Sequence, residues 1–244
     1  MITKVVMPRI VDLTFEINLR DSSWSKQLPY NLGKPEWNAL VLESFLKVIP
    51  WVYGFDNTLV EHVILWSHVG THVEAPYHQD PSGKSVGEIP LNSLVGEGVV
   101  LNLSLVLDED DFLDVGSEEE IRNRYGLAGP LIKRKHLDRL SDKIKEGDIV
   151  LLYANLSIEK RALISEEAAD WFIEKRIKAV GTHDWSVIFS KKAHEKLLKN
   201  NIPIIETLVN LDKVERERVL IIALPLRIIG LGASPARVIA IEDI

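Results

Sequence analysis

Apolar and polar positions alternate along this chain in short runs separated by turn residues. From Ile10 to Ile17, the apolar residues Val11, Leu13, Phe15 and Ile17 stand against polar or acidic neighbours. That period of two predicts a strand with one buried face. Leu59–Trp66 reads as a second strand, and the β-branched run Gly98–Val106 as a buried one. Leu40–Trp51 is apolar but carries Glu43 and Lys47 four apart, which leaves helix and strand both open. Further on the pattern changes period. A strand over Ile149–Ala154 follows Gly147-Asp148, and Ser165 with Glu166 and Glu167 opens a helix that runs to about Arg176. A strand over Lys178–Gly181 leads to a helix capped by Ser190 and ended by Asn200, Asn201 and Pro203; a strand over Ile204–Leu208 follows. Strand, helix, strand, helix, strand predicts parallel pairing through right-handed crossovers, and an α/β fold class. Val219–Leu224 and Arg237–Ile241 are the last strands, turned by Pro225, Gly230, Gly232 and Pro235.

Between these runs lie segments that punctuate. Asp21–Trp37 is turn-rich, and its Trp24, Tyr30 and Trp37 serve either ordinary packing or the wall of a pocket. Asp80–Gly87 reads as a polar loop and Asp108–Asp114 as a solvated acidic one. Ser117 and Glu120 have the spacing of a capping box. No break in composition divides the 244 residues, so a single domain over 1–244 is expected.

Charge and composition narrow the partners. A net charge of -7 disfavours nucleic acid, which requires a basic face. No run approaches the length of a membrane span, and Met1–Ile10 lacks the apolar core of a signal peptide. Cytoplasmic location, with no membrane partner, is the expectation. Cysteine is absent, so disulfides and thiolate metal sites are excluded.

The chemistry concentrates in Ser67–His78, which reads S-H-V-G-T-H-V-E-A-P-Y-H. His68, His72, Glu74 and His78 are separated by four, two and four residues, and residues an even number apart share a face in extended chain. Gly70 and Pro76 argue against a helix. Three imidazoles and a carboxylate on one face suit a zinc, manganese or iron ion with a position left open for water. His62, out of phase in its strand, reads as a surface or satisfied core histidine. Later in the chain, Glu206 lies among Ile204, Ile205 and Leu208, where a lone carboxylate is costly to bury and wants a cation or a hydrogen-bond network. His194, among lysines, reads on its own as a surface helix residue.

His68, Gly70, Thr71, His72, Pro76 and His78 together resemble the H-x-G-T-H-x-D-x-P-x-H signature of the cyclase family, which includes bacterial kynurenine formamidase and isatin hydrolase. The likeness extends to Asp12-Leu13-Thr14, to His194 and Glu206 twelve residues apart, to Ala223-Leu224-Pro225-Leu226 and to Ser234-Pro235-Ala236-Arg237. It implies a swivelling β/β/α domain with a central mixed sheet and flanking helices, assembled as a homodimer or homotetramer. It further implies a metal-dependent hydrolase of a small-molecule amide or cyclic amide, arylformamidase- or isatin hydrolase-like, using one or two divalent ions, zinc or manganese. His68, His72 and Glu74 then hold one ion, and Glu74, His194 and Glu206 a second. Metal-activated water is the nucleophile and His78 the general base and acid, with a further metal ligand as the other role open to His78.

Three departures set this sequence apart. Glu74 stands where the signature has Asp, which leaves one ion or two open. Leu151-Leu152-Tyr153-Ala154 lacks the usual polar ending of its strand, and Gly181–Ser186 carries His183 at an Asp position. His183 reads equally as an added ligand or polar contact and as a packed histidine. A lactone hydrolase and a metal-binding protein without turnover remain alternatives on the same scaffold. A metal-free binding module built on the tryptophan loop leaves Glu206 unexplained.

Overall fold

The computed structural model describes residues 7–17, 46–52, 59–108, 130–156, 162–183 and 187–243. In chain order the elements are β1 (Arg9–Asp12), β2 (Leu46–Val52), β3 (Leu59–Leu65), β4 (His72–Glu74), β5 (Val95–Asn102) and β6 (Leu131–Ile132). Then come α1 (Arg134–Asp138), β7 (Ile149–Tyr153), β8 (Ala162–Ile164), α2 (Glu166–Glu174), β9 (Ala179–Thr182) and β10 (Val187–Phe189). The last are α3 (Lys191–Lys199), β11 (Ile204–Glu206), β12 (Arg218–Pro225) and β13 (Ala233–Glu242).

The main sheet runs β1-β13-β12-β5-β7-β9-β11-β4, and β4 also pairs with β13, so the sheet closes on itself. Half of it is parallel, from β5 through β7 and β9 to β11; the strand–helix alternation predicts this for β7, β9 and β11. The other half, through β4, β13 and β12, is antiparallel. The fold is thus mixed α/β around a central mixed sheet, with three α-helices among the described residues. No helix among these residues is long and apolar enough to cross a membrane.

Two cores follow from the pleat. Ile149 and Leu151 of β7 turn to the enclosed face, with Val73, Ile205, Ile221, Ala223, Val238 and Ala240. Val150 and Leu152 turn outward to Trp171 and Phe172 of α2 and to Leu197 and Leu198 of α3. Each buried aliphatic side chain contributes about 1.5–3 kcal/mol relative to exposure. This two-sided burial is why β7 reads as an unbroken apolar run rather than an alternating one.

Several expectations needed revision. The first strand pairs only over Arg9–Asp12, with an isolated bridge from Thr14 to Leu208, yet the burial of Val11, Leu13 and Phe15 keeps its period beyond the pairing. The run from Gly98 leaves the sheet at Asn102, whose side chain accepts from Ser104 N–H and starts a 3-10 turn, Leu103–Leu105. Leu46–Val52 is a strand paired antiparallel with β3, which decides between helix and strand for that stretch. Helix α1 and the small parallel sheet β10-β8-β6 had no counterpart in the sequence reading. The Asp21–Trp37 loop, residues 109–114, the Ser117–Glu120 capping box and residues 184–186 lie outside the described residues.

Candidate metal centre

The centre is built where β4 meets β11. Their antiparallel register sets Glu206 opposite His72 and Ile204 opposite Glu74. Val73 and Ile205 point to the enclosed core, so by alternation His72, Glu74 and Glu206 point to the face on which α3 packs. His72 Nε2 lies 3.6 Å from Glu74 Oε1 and 3.6 Å from Glu206 Oε2.

Turns on either side of β4 bring in the other two imidazoles. Gly70 is left-handed (φ 59°), a conformation that glycine adopts without a Cβ penalty, and its carbonyl accepts a 2.8 Å hydrogen bond from His72 Nδ1–H. His68 stands before that turn, with Nε2 3.1 Å from Glu74 Oε1 and Nδ1 3.0 Å from Ser67 Oγ. His78 closes the 3-10 turn Pro76–His78, with Nε2 3.7 Å from Glu74 Oε1. Thr71 locks the assembly: its Oγ1 donates to the Thr207 carbonyl (2.6 Å) and accepts from Phe15 N–H (2.7 Å).

From α3, whose N-cap Ser190 accepts Ala193 N–H, His194 reaches across so that Nε2 meets Glu74 Oε2 in a short hydrogen bond. The same nitrogen is 3.8 Å from Glu206 Oε1. His194 Nδ1 faces the side-chain amide nitrogen of Gln79 at 3.1 Å. Trp66 stands 5.5 Å from the His68 ring and Phe189 6.3 Å from the His194 ring, centroid to centroid.

Four imidazoles therefore surround one buried carboxylate. Burial alone would push the Glu74 carboxyl up, but His194, His68 and His72 outweigh it and hold the group well below the usual carboxylate range. Burial pushes His78 below the ordinary imidazole value; Glu74 opposes this, while His68, His194 and His72 reinforce it. His78 is also the most open of the four, its side chain 31% exposed against 15% for His68 and His194 and 0% for His72.

The donors fit a divalent cation. Because the Gly70 carbonyl can only accept, His72 carries a proton on Nδ1, and its Nε2 faces two carboxylates. Two carboxylates and an imidazole nitrogen that converge within 3.6 Å suit a positive charge between them. The buried His68 Nε2 makes no well-aligned hydrogen bond despite its short distance to Glu74. One donor atom from each of His68, Glu74 and His78 lies within 4.8 Å of the others, and so it is for His72, Glu74 and Glu206.

Comparison with known proteins adds the family. The model of the Cyclase family ("Putative cyclase") matches residues 11–187. The chain belongs to the Cyclase family. Kynurenine formamidase from Erythrobacter litoralis is 28% identical over 206 residues, 78% of this chain and 84% of that one. Kynurenine formamidase from Paracidovorax citrulli is 27% identical over 179 residues, 70% and 74% of the two chains. The structure of a predicted metal-dependent hydrolase from Bacillus stearothermophilus superposes with a TM-score of 0.67 at 25% identity, covering 98% of this chain and all of that one. Isatin hydrolase A from Labrenzia aggregata, bound to benzyl benzoate, shares the fold at 22% identity and a TM-score of 0.67, covering 96% and 94%. With such relatives, this cyclase-family chain is an enzyme, a metal-dependent hydrolase.

All six residues singled out in the cyclase-family chain come together: His68, His72, Glu74, His78, His194 and Glu206. Within Ser67–His78, only His72 and Glu74 owe this to strand alternation. Glu206 proves half-buried at a strand end, not enclosed among its apolar neighbours. His183 belongs to neither three-donor group among the described residues; its backbone N–H donates to the Leu152 carbonyl at the end of β7. The backbone of His62 lies in β3, in the ribbon it forms with β2. Ser67, Thr71 and Gln79 went unremarked as supports. For Gln79 the available signal was its place directly after His78.

Proposed function

We propose that this cyclase-family chain, acting as a single domain, hydrolyses the carbon–nitrogen bond of a small amide or cyclic amide of the aryl-formamide or isatin type. The observation that carries the reading is Glu74, one buried carboxylate whose two oxygens are shared among His68, His72, His78 and His194. His68, His72 and Glu74 would hold one divalent ion, zinc or manganese, and Glu74, His194 and Glu206 a second. When bound, such an ion acts as a Lewis acid that polarises a carbonyl and lowers the pKa of water from 15.7 to about 7. The names of the relatives support the bond type, and the nitrogen and oxygen donor set supports the metals.

The chain's own groups divide the remaining work. His78 is held below its usual pKa, so at neutral pH its ring is uncharged and can accept a proton. It takes the proton that an attacking water must lose and returns it to the departing nitrogen. Partial exposure lets it face a substrate that His72, fully buried, could not reach. Trp66, partly exposed beside His68, offers flat apolar surface to an aromatic ring.

Turnover of N-formyl aromatic amines, isatin-like rings and lactones by wild type and His78→Ala tests this reading. The variant should lose about 10²–10⁴ in kcat with its metal content unchanged. Equal rates would remove His78 from proton transfer. The grouping of His68, Glu74 and His78 donors favours the second role, that of ligand; a parallel loss of bound metal would assign it. Turnover of lactones alone would move the bond from carbon–nitrogen to carbon–oxygen.

A homodimer or homotetramer belongs to the same proposal. It is supported by exposed apolar side chains close together in the fold, Leu91 (69%), Leu224 (43%) and Ile229 (61%). Sedimentation at micromolar concentration should find no monomer; a monomer there would remove this part.

A further inference from the structure

Each of the proposed histidine ligands except His78 has its second ring nitrogen engaged by a different kind of partner. His72 Nδ1 meets a backbone carbonyl, which only accepts. His68 Nδ1 meets the Ser67 hydroxyl, which donates or accepts by rotating. His194 Nδ1 meets the amide of Gln79, which donates through nitrogen and accepts through oxygen.

The amide decides which proton arrangement His194 adopts. In the structure Nε2 donates to Glu74, so in the neutral ring Nδ1 is a lone pair and needs a donor. The Gln79 amide nitrogen, 3.1 Å away, supplies it. A cation at Nε2 demands the opposite tautomer, with the proton on Nδ1 and an acceptor beyond it. Turning the Gln79 amide over replaces its nitrogen by its oxygen at the same place. Gln79 is well sited for this. It follows His78 directly, its own N–H is tied to the Pro76 carbonyl at 3.0 Å, and α3 packs against this turn.

We propose that Gln79 is a positioning residue for the second cation, whose amide turns over to hold His194 in the Nε2–H form without the ion and in the Nδ1–H form with it. The inference rests on the metal-site reading given above. It concerns ion affinity and the orientation of one ligand, and gives Gln79 no contact with substrate.

Two readouts test it, neither of them turnover. The first is Zn2+ affinity, measured by competition with a chromophoric chelator on wild type, Gln79→Met and Gln79→Glu. Met has nearly the length of Gln but neither donates nor accepts as an amide does, whereas Glu keeps an acceptor. The weaker-bound Zn2+ should loosen about 10–100-fold in Gln79→Met and stay within a few-fold of wild type in Gln79→Glu. The second is the 15N spectrum of His194, assigned by its loss in His194→Ala. The ring proton should sit on Nε2 in chelator-treated wild type and on Nδ1 after Zn2+ loading. Unchanged Zn2+ affinity in Gln79→Met, or a ring proton that stays on one nitrogen through Zn2+ loading, would overturn the proposal. If wild type takes up no Zn2+, the metal-site reading itself fails. The chelator-treated spectra then still judge Gln79: identical His194 spectra for wild type and Gln79→Met mean that the amide does not set the tautomer.

Discussion

At the scale of single residues, a site of this kind is a problem in placing charges. Glu74 is an ionised group in a nearly dry place, which is tolerable only because imidazoles meet both its oxygens. The same crowding makes His78 a weak base, and the sign of that shift has a kinetic consequence. A proton acceptor must be unprotonated, so kcat/KM should rise with pH through the His78 pKa and level off above it. The group's folded value lies below 6.5, and the acid limb should therefore bend below 6.5. A pH–rate profile of wild type checks this: a bend above 6.5 would mean that another group controls the acid side. Glu74, where the signature has Asp, turns Oε1 to His72 of its own strand and Oε2 to His194 of α3.

At the scale of elements, β5 is the strand on which the two halves of the sheet turn. It pairs antiparallel with β12 and parallel with β7, and Gly98 lies opposite Val219 on one side and Ile149 on the other. A Cβ at 98 would fall within contact distance of the Ile149 carbonyl oxygen and of Ile221 Cδ1. The carbonyl belongs to the ladder and cannot step aside as a flexible side chain can. Gly98→Ala should therefore destabilise by about 1–3 kcal/mol, at the upper end of that range, read as a lower denaturation midpoint. A midpoint equal to wild type would show that the ladder shifts freely. The elements also show where pattern reading stopped. Strands β6, β8 and β10, of two or three residues, are too short to display a period. The segment from Gly98 left the sheet early because the Asn102 side chain offers the backbone another partner, a local competition that apolar content does not reveal.

At the scale of the whole molecule, closure of the sheet ties the chain ends to the centre. Glu242, at the end of β13, is buried; its carboxylate accepts from the N–H groups of Glu215 (2.6 Å) and Arg216 (2.7 Å) and pairs with Arg9, the first residue of β1. Burial raises its pKa, and the two N–H groups and Arg9 lower it further than burial raises it, so the folded value lies below 4.5. A carboxylate depressed on folding adds stability that is complete above its unfolded pKa and is lost as pH falls through the folded value. Denaturation midpoints should thus drop on going from about pH 5 to about pH 3, and drop less in Glu242→Gln. Parallel decreases in the two proteins would assign the acid sensitivity elsewhere.

The sequence by itself determined the local choices: which stretches extend or coil, the caps at Ser165 and Ser190, the parallel half, and a histidine segment dense enough to mark the chemistry. These depend on neighbours within a few positions, and a linear pattern records them. The likeness to a family then carried the reading across the gap to His194 and Glu206, a step that no spacing supported. Only the tertiary structure decided why those two belong. The β4–β11 register turned Glu206 to the helix side, α3 swung His194 over Glu74, and the left-handed turn at Gly70 set the tautomer of His72. Each of these is a contact between residues distant in sequence or a consequence of backbone direction. Hydrophobic pattern constrains neither, because it records which face of a segment is buried and not what lies against it.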